Sequence, residues 1–457
     1  MKKNDRVTIV CERLGSNGEG VARAEGITLF VPDLLAGERA LVKVLSVKDG
    51  VAYGKVEEIF TPAEQRVRPA CGVFGKCGGC QLQHMRYRDQ LSFKTDLLRN
   101  TLKKIAGIDA EVLPCVKSDK EYGYRNKLIL PIGRKDGRTV LGFYAERSHR
   151  IVEIGECPVT GWADRVISAV KNFAEKCGLD GYDEETHTGQ LRHIVVREIG
   201  KKYIVVLVVT QEIKGIDYLL SLLDRIFKEY SFFLNYNDRR TNVVFGEKFR
   251  LIKGSPTYVC EEGGISYEAG AETFLQINEN VRGKLYESAL ALIDENETVL
   301  DCYSGGGLLT AMFAKKCKKA YGIEFVKEAV ECADRLKKRN GLDKKMVNLA
   351  GRVEEELPAL VEKEKNAVAV LDPPRSGLDE SVVSLLLGSG IQKIVMISCN
   401  PATLARDLGL LTGTLARDGR NLVRSDVREG KFNVVSVQPF DMFPQTKHAE
   451  CLVCLRR

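Results

Sequence analysis

Two stretches of this chain carry side chains suited to covalent chemistry. Ile397-Ser398-Cys399-Asn400-Pro401-Ala402-Thr403-Leu404 runs an apolar strand into a sharp Asn-Pro turn. That turn puts Cys399 at a strand end, whereas a free cysteine is usually buried as a small hydrophobe. Near the carboxy end, Asp441-Met442-Phe443-Pro444-Gln445-Thr446-Lys447-His448-Ala449-Glu450-Cys451 offers two bases, His448 and Glu450. The apolar run Leu452-Val453-Cys454-Leu455 that follows is a strand able to return Glu450 to the same sheet. A thiolate and a base together suit methylation of a reluctant carbon. Carbon 5 of uracil is too poor a nucleophile to take a methyl group from a sulfonium unaided. Addition of a thiolate at carbon 6 makes an enolate that loads carbon 5 with electron density. After methylation a base must remove the carbon 5 proton so that the thiol can leave.

A sulfonium donor needs its own site, and three strand ends supply one. Val299-Leu300-Asp301-Cys302-Tyr303-Ser304-Gly305-Gly306-Gly307-Leu308-Leu309-Thr310 reads as strand, glycine turn and helix start, where a ligand can approach the backbone. Tyr321-Gly322-Ile323-Glu324 closes the next strand with an acid 19 residues after Gly305, suited to the two hydroxyls of a ribose. Leu371-Asp372-Pro373-Pro374-Arg375-Ser376-Gly377 ends a third strand in a stiff turn at the same sheet edge. Together these favour S-adenosylmethionine over a dinucleotide.

A third group points to a metal. Cys71, Cys77 and Cys80 fall within ten residues on a Gly-rich stretch, and Cys157, before Pro158, is a plausible fourth ligand. The absence of a signal-peptide core and of any long apolar run predicts a cytoplasmic protein with reduced thiols, so a metal fits better than disulfides. Spacing alone leaves zinc and an iron–sulfur cluster open.

The elements that must position these residues fall into three parts. Residues 1–60 read as five short strands separated by turn residues, an OB-like barrel of a kind that binds single-stranded nucleic acid. Residues 61–268 form a central α+β region with a helix near 88–106, able to pack on either neighbour. Residues 269–457 alternate strand and helix, predicting an α/β Rossmann-like domain with strands at Thr298–Tyr303, Lys319–Glu324, Ala367–Asp372 and Lys393–Ser398. The net charge is +7. Residues 61–150 hold eighteen Lys and Arg against nine Asp and Glu, an excess of +9, whereas residues 1–60 are balanced. Such a local excess is the footprint of a polyanion binder. Tyr124-Arg125-Asn126-Lys127 and Leu191-Arg192-His193 are candidate contacts to it. Nothing in the sequence calls for a membrane or an obligate protein partner.

Asp-Pro-Pro-Arg-x-Gly, Ser-Cys-Asn-Pro-x-Thr and a terminal His-x-Glu, in this order, resemble the RNA uracil-5-methyltransferases over essentially the whole chain. The resemblance implies a class I methyltransferase domain with Cys399 as nucleophile and Glu450 as base. It also implies that Gln276, Tyr303, Glu324 and Asp372 surround S-adenosylmethionine. Gly18-Glu19-Gly20-Val21-Ala22 and Phe30-Val31-Pro32 with Gly37-Glu38-Arg39 resemble a TRAM domain. Relatives with that barrel and a Cys-x5-Cys-x2-Cys run carry a four-iron [4Fe-4S] cluster completed by a later Cys-Pro, which implies Cys71, Cys77, Cys80 and Cys157 as its ligands. The barrel and the cysteines imply a 23S rRNA uridine as substrate, splayed out of a loop or other irregular segment. A tRNA enzyme of the same chemistry is the nearest alternative. A non-catalytic RNA-binding iron–sulfur protein would have no use for Cys399 and Glu450. A radical S-adenosylmethionine protein would need Cys-x3-Cys-x2-Cys.

Overall fold

The computed structural model describes residues 1–146, 148–427 and 431–457. It divides into two compact units: residues 1–90, 120–255 and 443–447, and residues 91–119, 256–442 and 448–457. Among the described residues no helix is long and apolar enough to cross a membrane.

The first unit contains two sheets. The amino-terminal one has six strands in the order Arg6–Val10, Arg39–Lys48, Val51–Thr61, Ile27–Val31, Gly20–Ala24 and Arg13–Leu14. Alternation along these strands turns Ile9, Ala22, Leu29, Val31, Ala40, Val42, Val44 and Ala52 into one small core. Glu38, buried completely, accepts the backbone N–H groups of Leu35 (2.7 Å) and Ala63 (3.1 Å) and pairs with Arg66. That paired carboxylate fixes the end of the barrel and the start of the next segment.

The second sheet has seven strands in the order Lys248–Lys253, Tyr230–Tyr236, Lys202–Val209, Leu191–Ile199, Lys127–Lys135, Arg138–Tyr144 and Ile151–Glu153. Helices Ala163–Cys177 and Ile216–Leu223 bury their apolar stripes on it, around Phe173, Val205, Leu207 and Phe232. Several expected RNA contacts belong to this interior. Arg192 is 1% exposed and donates to the carbonyls of Asn237, Arg239 and Thr241. His193, Tyr124 and Asn126 are buried too, and the Tyr124 hydroxyl donates to the Pro444 carbonyl at 2.9 Å. These four are framework; only Arg125 and Lys127 of the two stretches are half-buried.

The second unit is built on a seven-stranded sheet, labelled here β1 (Thr298–Cys302), β2 (Lys319–Glu324), β3 (Met346–Ala350), β4 (Ala367–Leu371), β5 (Lys393–Ser398), β6 (Asn433–Phe440) and β7 (Glu450–Arg456). Their order is β3-β2-β1-β4-β5-β7-β6. Strands β1 to β5 are parallel, and β7 runs antiparallel between β5 and β6. β1, β4 and β5 are buried along their whole length and covered on both faces, as central parallel strands must be. The order reverses between β1 and β4, the switch point at which open sheets bind ligands.

The contacts divide the chain differently from cuts at 60 and 268. The hairpin Thr257–Glu262 with Ile265–Gly270 belongs to the second unit. Ser266 and Asn340 exchange two hydrogen bonds there (2.8 and 2.6 Å), so the hairpin is anchored on the helical layer. The helix expected near 88–106 is Tyr87–Thr101 followed by a π turn, Leu102–Ala106. Its Leu98, Leu102 and Ala106 enter the core of the second unit. Lys94 on this helix pairs with Asp441, both side chains fully buried.

Candidate active site

Pairing register brings the reactive side chains of the second unit together. β5 ends at Ser398, which pairs with Cys451 of β7. One residue further along each strand, Cys399 follows Ser398 and Glu450 precedes Cys451. Because the strands are antiparallel, these two neighbours emerge at the same end of the sheet. Asp372 follows the last residue of β4, whose Leu371 pairs with Met396 of β5.

Local sequence explains the turn at Cys399. Asn400 caps the helix Pro401–Thr412, its Oδ1 accepting the Ala402 N–H at 3.1 Å, and Pro401 fills the first helical position. Cys399 thus precedes a helix amino terminus, whose partial positive charge favours thiolate. The Arg375 carbonyl accepts from Asn400 Nδ2 (3.1 Å) and from Thr403 Oγ1 (3.3 Å). These bonds stitch the Asp-Pro-Pro-Arg turn to the cysteine turn.

The electrostatics of this corner are unusual. Burial pushes the Cys399 thiol up and Glu450 pushes it further, while a hydrogen bond and positive charge from Arg375 pull it down. Glu450 is 2% exposed, its Oε2 has no hydrogen-bond partner, and burial together with Asp372 raises its carboxyl to about 8. Burial raises Asp372 to about 7. Two acids poised near neutrality beside a thiol are what acid–base work at ordinary pH requires. His448, the rival base, is exposed.

The glycine turn after β1 leads into a second corner. Tyr303 holds φ 67°, costly for a residue with a side chain, by about 1–3 kcal/mol. Its ring packs on the sheet core, and Glu354, Asp379 and Asp407 act on its phenol. Tyr303 is therefore at the crevice by its backbone, while its ring turns towards the core. Gly305 donates its N–H to Glu324 Oε2 at 3.0 Å, and Val326 donates to Oε1 at 2.8 Å, which aims the Glu324 carboxylate across the turn. A Cβ at Gly305 or Gly306 would meet nothing within 4 Å, so open space lies over the turn. Gln276 lies on the loop before helix Glu279–Ala291, its carbonyl accepting from Arg282, which is itself paired with Glu262.

Three residues join this corner that the sequence did not single out. Arg375 reaches the Cys399 thiol. Asp301, on β1, is 2% exposed; burial raises it to about 7, and Asp372 and Glu324 act on it. Tyr286, on helix Glu279–Ala291, lies in the field of Asp372 and Asp301. Arg375 was within reach of a sequence argument, three residues after Asp372 on one turn. Asp301 and Tyr286 carry no local signal.

The four cysteines expected to hold a cluster lie in the first unit. Gln83, 2% exposed, accepts the Cys71 N–H at 3.1 Å and hydrogen-bonds the Cys80 thiol. Gly79 donates to Cys77 Sγ at 3.4 Å. Cys71 and Cys77 both act on the Cys157 thiol, and Cys157 acts on Cys80. The thiols are gathered, yet among the described residues no group of three or more His, Cys, Asp or Glu is arranged to hold a metal ion. The expected ligand set of Cys71, Cys77, Cys80 and Cys157 therefore has no support in the arrangement of the described residues.

Comparisons with known proteins agree with this architecture. A family model described as tRNA (Uracil-5-)-methyltransferase matches residues 255–457, and one described as TRAM domain matches residues 2–56. A protein of Halalkalibacterium halodurans, described as an RNA methyltransferase, is 38% identical over 466 residues, covering 100% of this chain and 98% of its own. Another, from Clostridium tetani, is 35% identical over 463 residues, covering 100% and 97%. Among solved structures, the Pyrococcus abyssi tRNA (uracil-54, C5)-methyltransferase in complex with S-adenosyl-L-homocysteine matches with TM-score 0.76 at 27% identity. That match covers 98% of this chain and 100% of that one.

Proposed function

This chain belongs to the RNA uracil-5-methyltransferase family, and we propose that it methylates carbon 5 of a uridine in RNA with Cys399 as nucleophile and Glu450 as base. The observation that carries the roles is the Ser398–Cys451 pairing, which sets Cys399 beside Glu450.

Arg375 favours the Cys399 thiolate, which adds to carbon 6 of the ring and forms an S–C6 bond. S-adenosylmethionine, when bound, supplies the electrophilic methyl group that the activated carbon 5 takes up. Glu450, as carboxylate, then accepts the carbon 5 proton. The S–C6 bond breaks, the ring double bond returns and Cys399 leaves as thiolate. The open space over Gly305 and Gly306 and the presented carboxylate of Glu324 fit a nucleoside with a free ribose. Glu324, Asp372, Gln276 and the backbone at Tyr303 would hold the cofactor, with Asp301 adding negative charge near a cationic amino acid end. Phe274, two residues from Gln276 and 80% exposed, offers an aromatic face to a splayed base.

We read the substrate as a 23S rRNA uridine, on the resemblance of the barrel and cysteine run to that branch. A tRNA uridine is the second reading. It is favoured by the Pyrococcus abyssi tRNA enzyme, which matches 98% of this chain, barrel included. The barrel alone therefore does not separate the two RNAs. Both readings have the enzyme acting on cytoplasmic RNA.

The cysteines are read as ligands of a [4Fe-4S] cluster. A zinc ion draws four sulfurs to one point at about 2.3 Å, whereas a cluster places its own iron and sulfide between the thiolates. The preference for a cluster rests on the resemblance of this Cys-x5-Cys-x2-Cys run to relatives that carry one. Methyl transfer moves no net electrons, so the cluster would brace the basic segment of the first unit. The assay is methyl transfer from labelled S-adenosylmethionine to ribosomal and transfer RNA from a strain lacking the gene, with the modified base mapped. Label at carbon 5 of a 23S uridine supports the full reading; label in tRNA moves the substrate but keeps the chemistry.

A further inference from the structure

The barrel of the first unit gathers positive charge on one stretch of its sheet. Over residues 1–60 acids and bases balance. Yet the neighbouring strands Arg6–Val10, Arg39–Lys48 and Val51–Thr61 carry Arg6, Arg39, Lys43, Lys48 and Lys55 against Glu57 and Glu58. Register lines up three of these cations: Arg6 stands opposite Lys43, and Lys43 opposite Lys55. Residues paired in this way share a face. Here it is the outer one, because their chain neighbours Val42, Val44 and Gly54 are buried. Like charges directly opposite each other destabilise a sheet. Glu57 pairs with Arg6 at 2.7 Å, and Lys55 lies in the field of Asp33. Among the described residues neither Lys43 nor Lys55 forms an ion pair.

Aromatic rings flank these cations. Tyr53, two residues before Lys55 and so on the same face, is 47% exposed. It pairs in register with Phe30, whose ring lies 5.8 Å from its own with the planes 27° apart. That offset stack holds the tyrosine ring in place. At the far end of the same strand the Arg39 guanidinium lies 5.5 Å over the ring of Phe60, which is also exposed. The water-facing side of an antiparallel sheet is ordinarily polar, whereas this one sets rings among cations. Single-stranded nucleic acids are held by that combination, with bases stacked on rings and phosphates met by Lys and Arg.

We propose that the outer face of the barrel around Tyr53, Lys55 and Lys43 docks a single-stranded segment of the RNA substrate. One base stacks on the Tyr53 ring, and the two lysines take the adjoining phosphates. This rests on RNA being the substrate and adds which face of the barrel holds it. Repulsion between Lys43 and Lys55 is relieved when a phosphate lies between them.

The test measures binding of the full chain to a dye-labelled single-stranded RNA of about twelve nucleotides, and to its duplex, by fluorescence anisotropy over a range of salt. Tyr53→Ala should weaken single-strand binding roughly 5- to 100-fold and change duplex binding by less than about twofold. Tyr53→Phe should stay within about twofold of wild type, since the ring does the stacking. Lys43→Gln with Lys55→Gln should flatten the dependence of log affinity on log salt by about 1.4, two charges at about 0.7 each. Thermal melts check that each variant folds, and the lysine variant carries the test alone if Tyr53→Ala does not. Wild-type affinity in a folded Tyr53→Ala, or an unchanged salt slope in the lysine variant, overturns the proposal. So does an equal loss for single strand and duplex, or a Tyr53→Phe as weak as Tyr53→Ala. A wild type that binds neither RNA removes RNA as the substrate, a failure visible before any variant is compared.

Discussion

Ser398 and Cys451 stand opposite one another at the end of the antiparallel seam between β5 and β7, and the placement of the reactive groups follows from that pair. Cys399 and Glu450 lie one step beyond it on each strand. A slip of one residue would turn Glu450 to the other face of the sheet. The antiparallel strand β7 is thus the device that delivers a base from the chain's end to a nucleophile some fifty residues earlier.

Separate roles for these residues predict separate failures. Cys399→Ala should reduce methyl transfer by roughly 10⁴-fold or more and form no covalent RNA adduct. Glu450→Gln should reduce turnover by about 10²–10⁴-fold while still adding to the ring, so a protein–RNA adduct should accumulate on a denaturing gel. An adduct with Cys399→Ala, or none with Glu450→Gln, would contradict the assignment.

The raised carboxyl of Glu450 links activity and stability to pH in opposite senses. Proton removal needs the carboxylate, so kcat/KM should rise with pH through about 8. Stability runs the other way. Above its ordinary value of 4.5 the unfolded chain releases a proton that the folded chain keeps until about 8, so this group's stabilisation is lost as pH rises across that window. Wild type and Glu450→Gln should show similar melting temperatures at pH 5, and the glutamine variant should melt higher at pH 8. Thermal melts at the two values decide it.

Arg375 is assigned to the thiol by contact. Arg375→Gln removes a charged hydrogen-bond donor of roughly 1.5–3 kcal/mol, so methyl transfer should fall about 10- to 100-fold. The pH profile of Cys399 alkylation by iodoacetamide should move upward. An unmoved alkylation profile would show that Arg375 does not act on the sulfur.

Much of this site could be read from the sequence because its signals are local. β2 and β5 span the expected residues, since each is an apolar run ended by a turn. The cap at Asn400 and Pro401 is likewise a matter of adjacent residues. What escaped reading depends on distant partners. Asp301 sits within β1 and is unusual because burial raises its carboxyl, with Asp372 and Glu324 adding to the effect. Arg192 reads as an RNA contact by type, yet three carbonyls near 237–241 enclose it. The hairpin 257–270 reads as an extension of the central β region, and distant partners such as Asn340 and Arg282 assign it to the other unit.

The helix Tyr87–Thr101 is held through a buried ion pair, Lys94 with Asp441. Lys94→Met leaves Asp441 buried and uncompensated, and should cost about 3–5 kcal/mol. Lys94→Met with Asp441→Leu should recover part of that loss. Denaturant melts of the three proteins measure both.

The central claim is that Cys399 bonds to carbon 6 of the target uridine and Glu450 releases it. Its most direct test is mass spectrometry of the crosslinked peptide after Glu450→Gln protein is mixed with unmodified RNA and S-adenosylmethionine. The account predicts one peptide containing Cys399, joined to a uridine already bearing the additional methyl group. A crosslink at any other residue, or methylated RNA released freely by this variant, would contradict it.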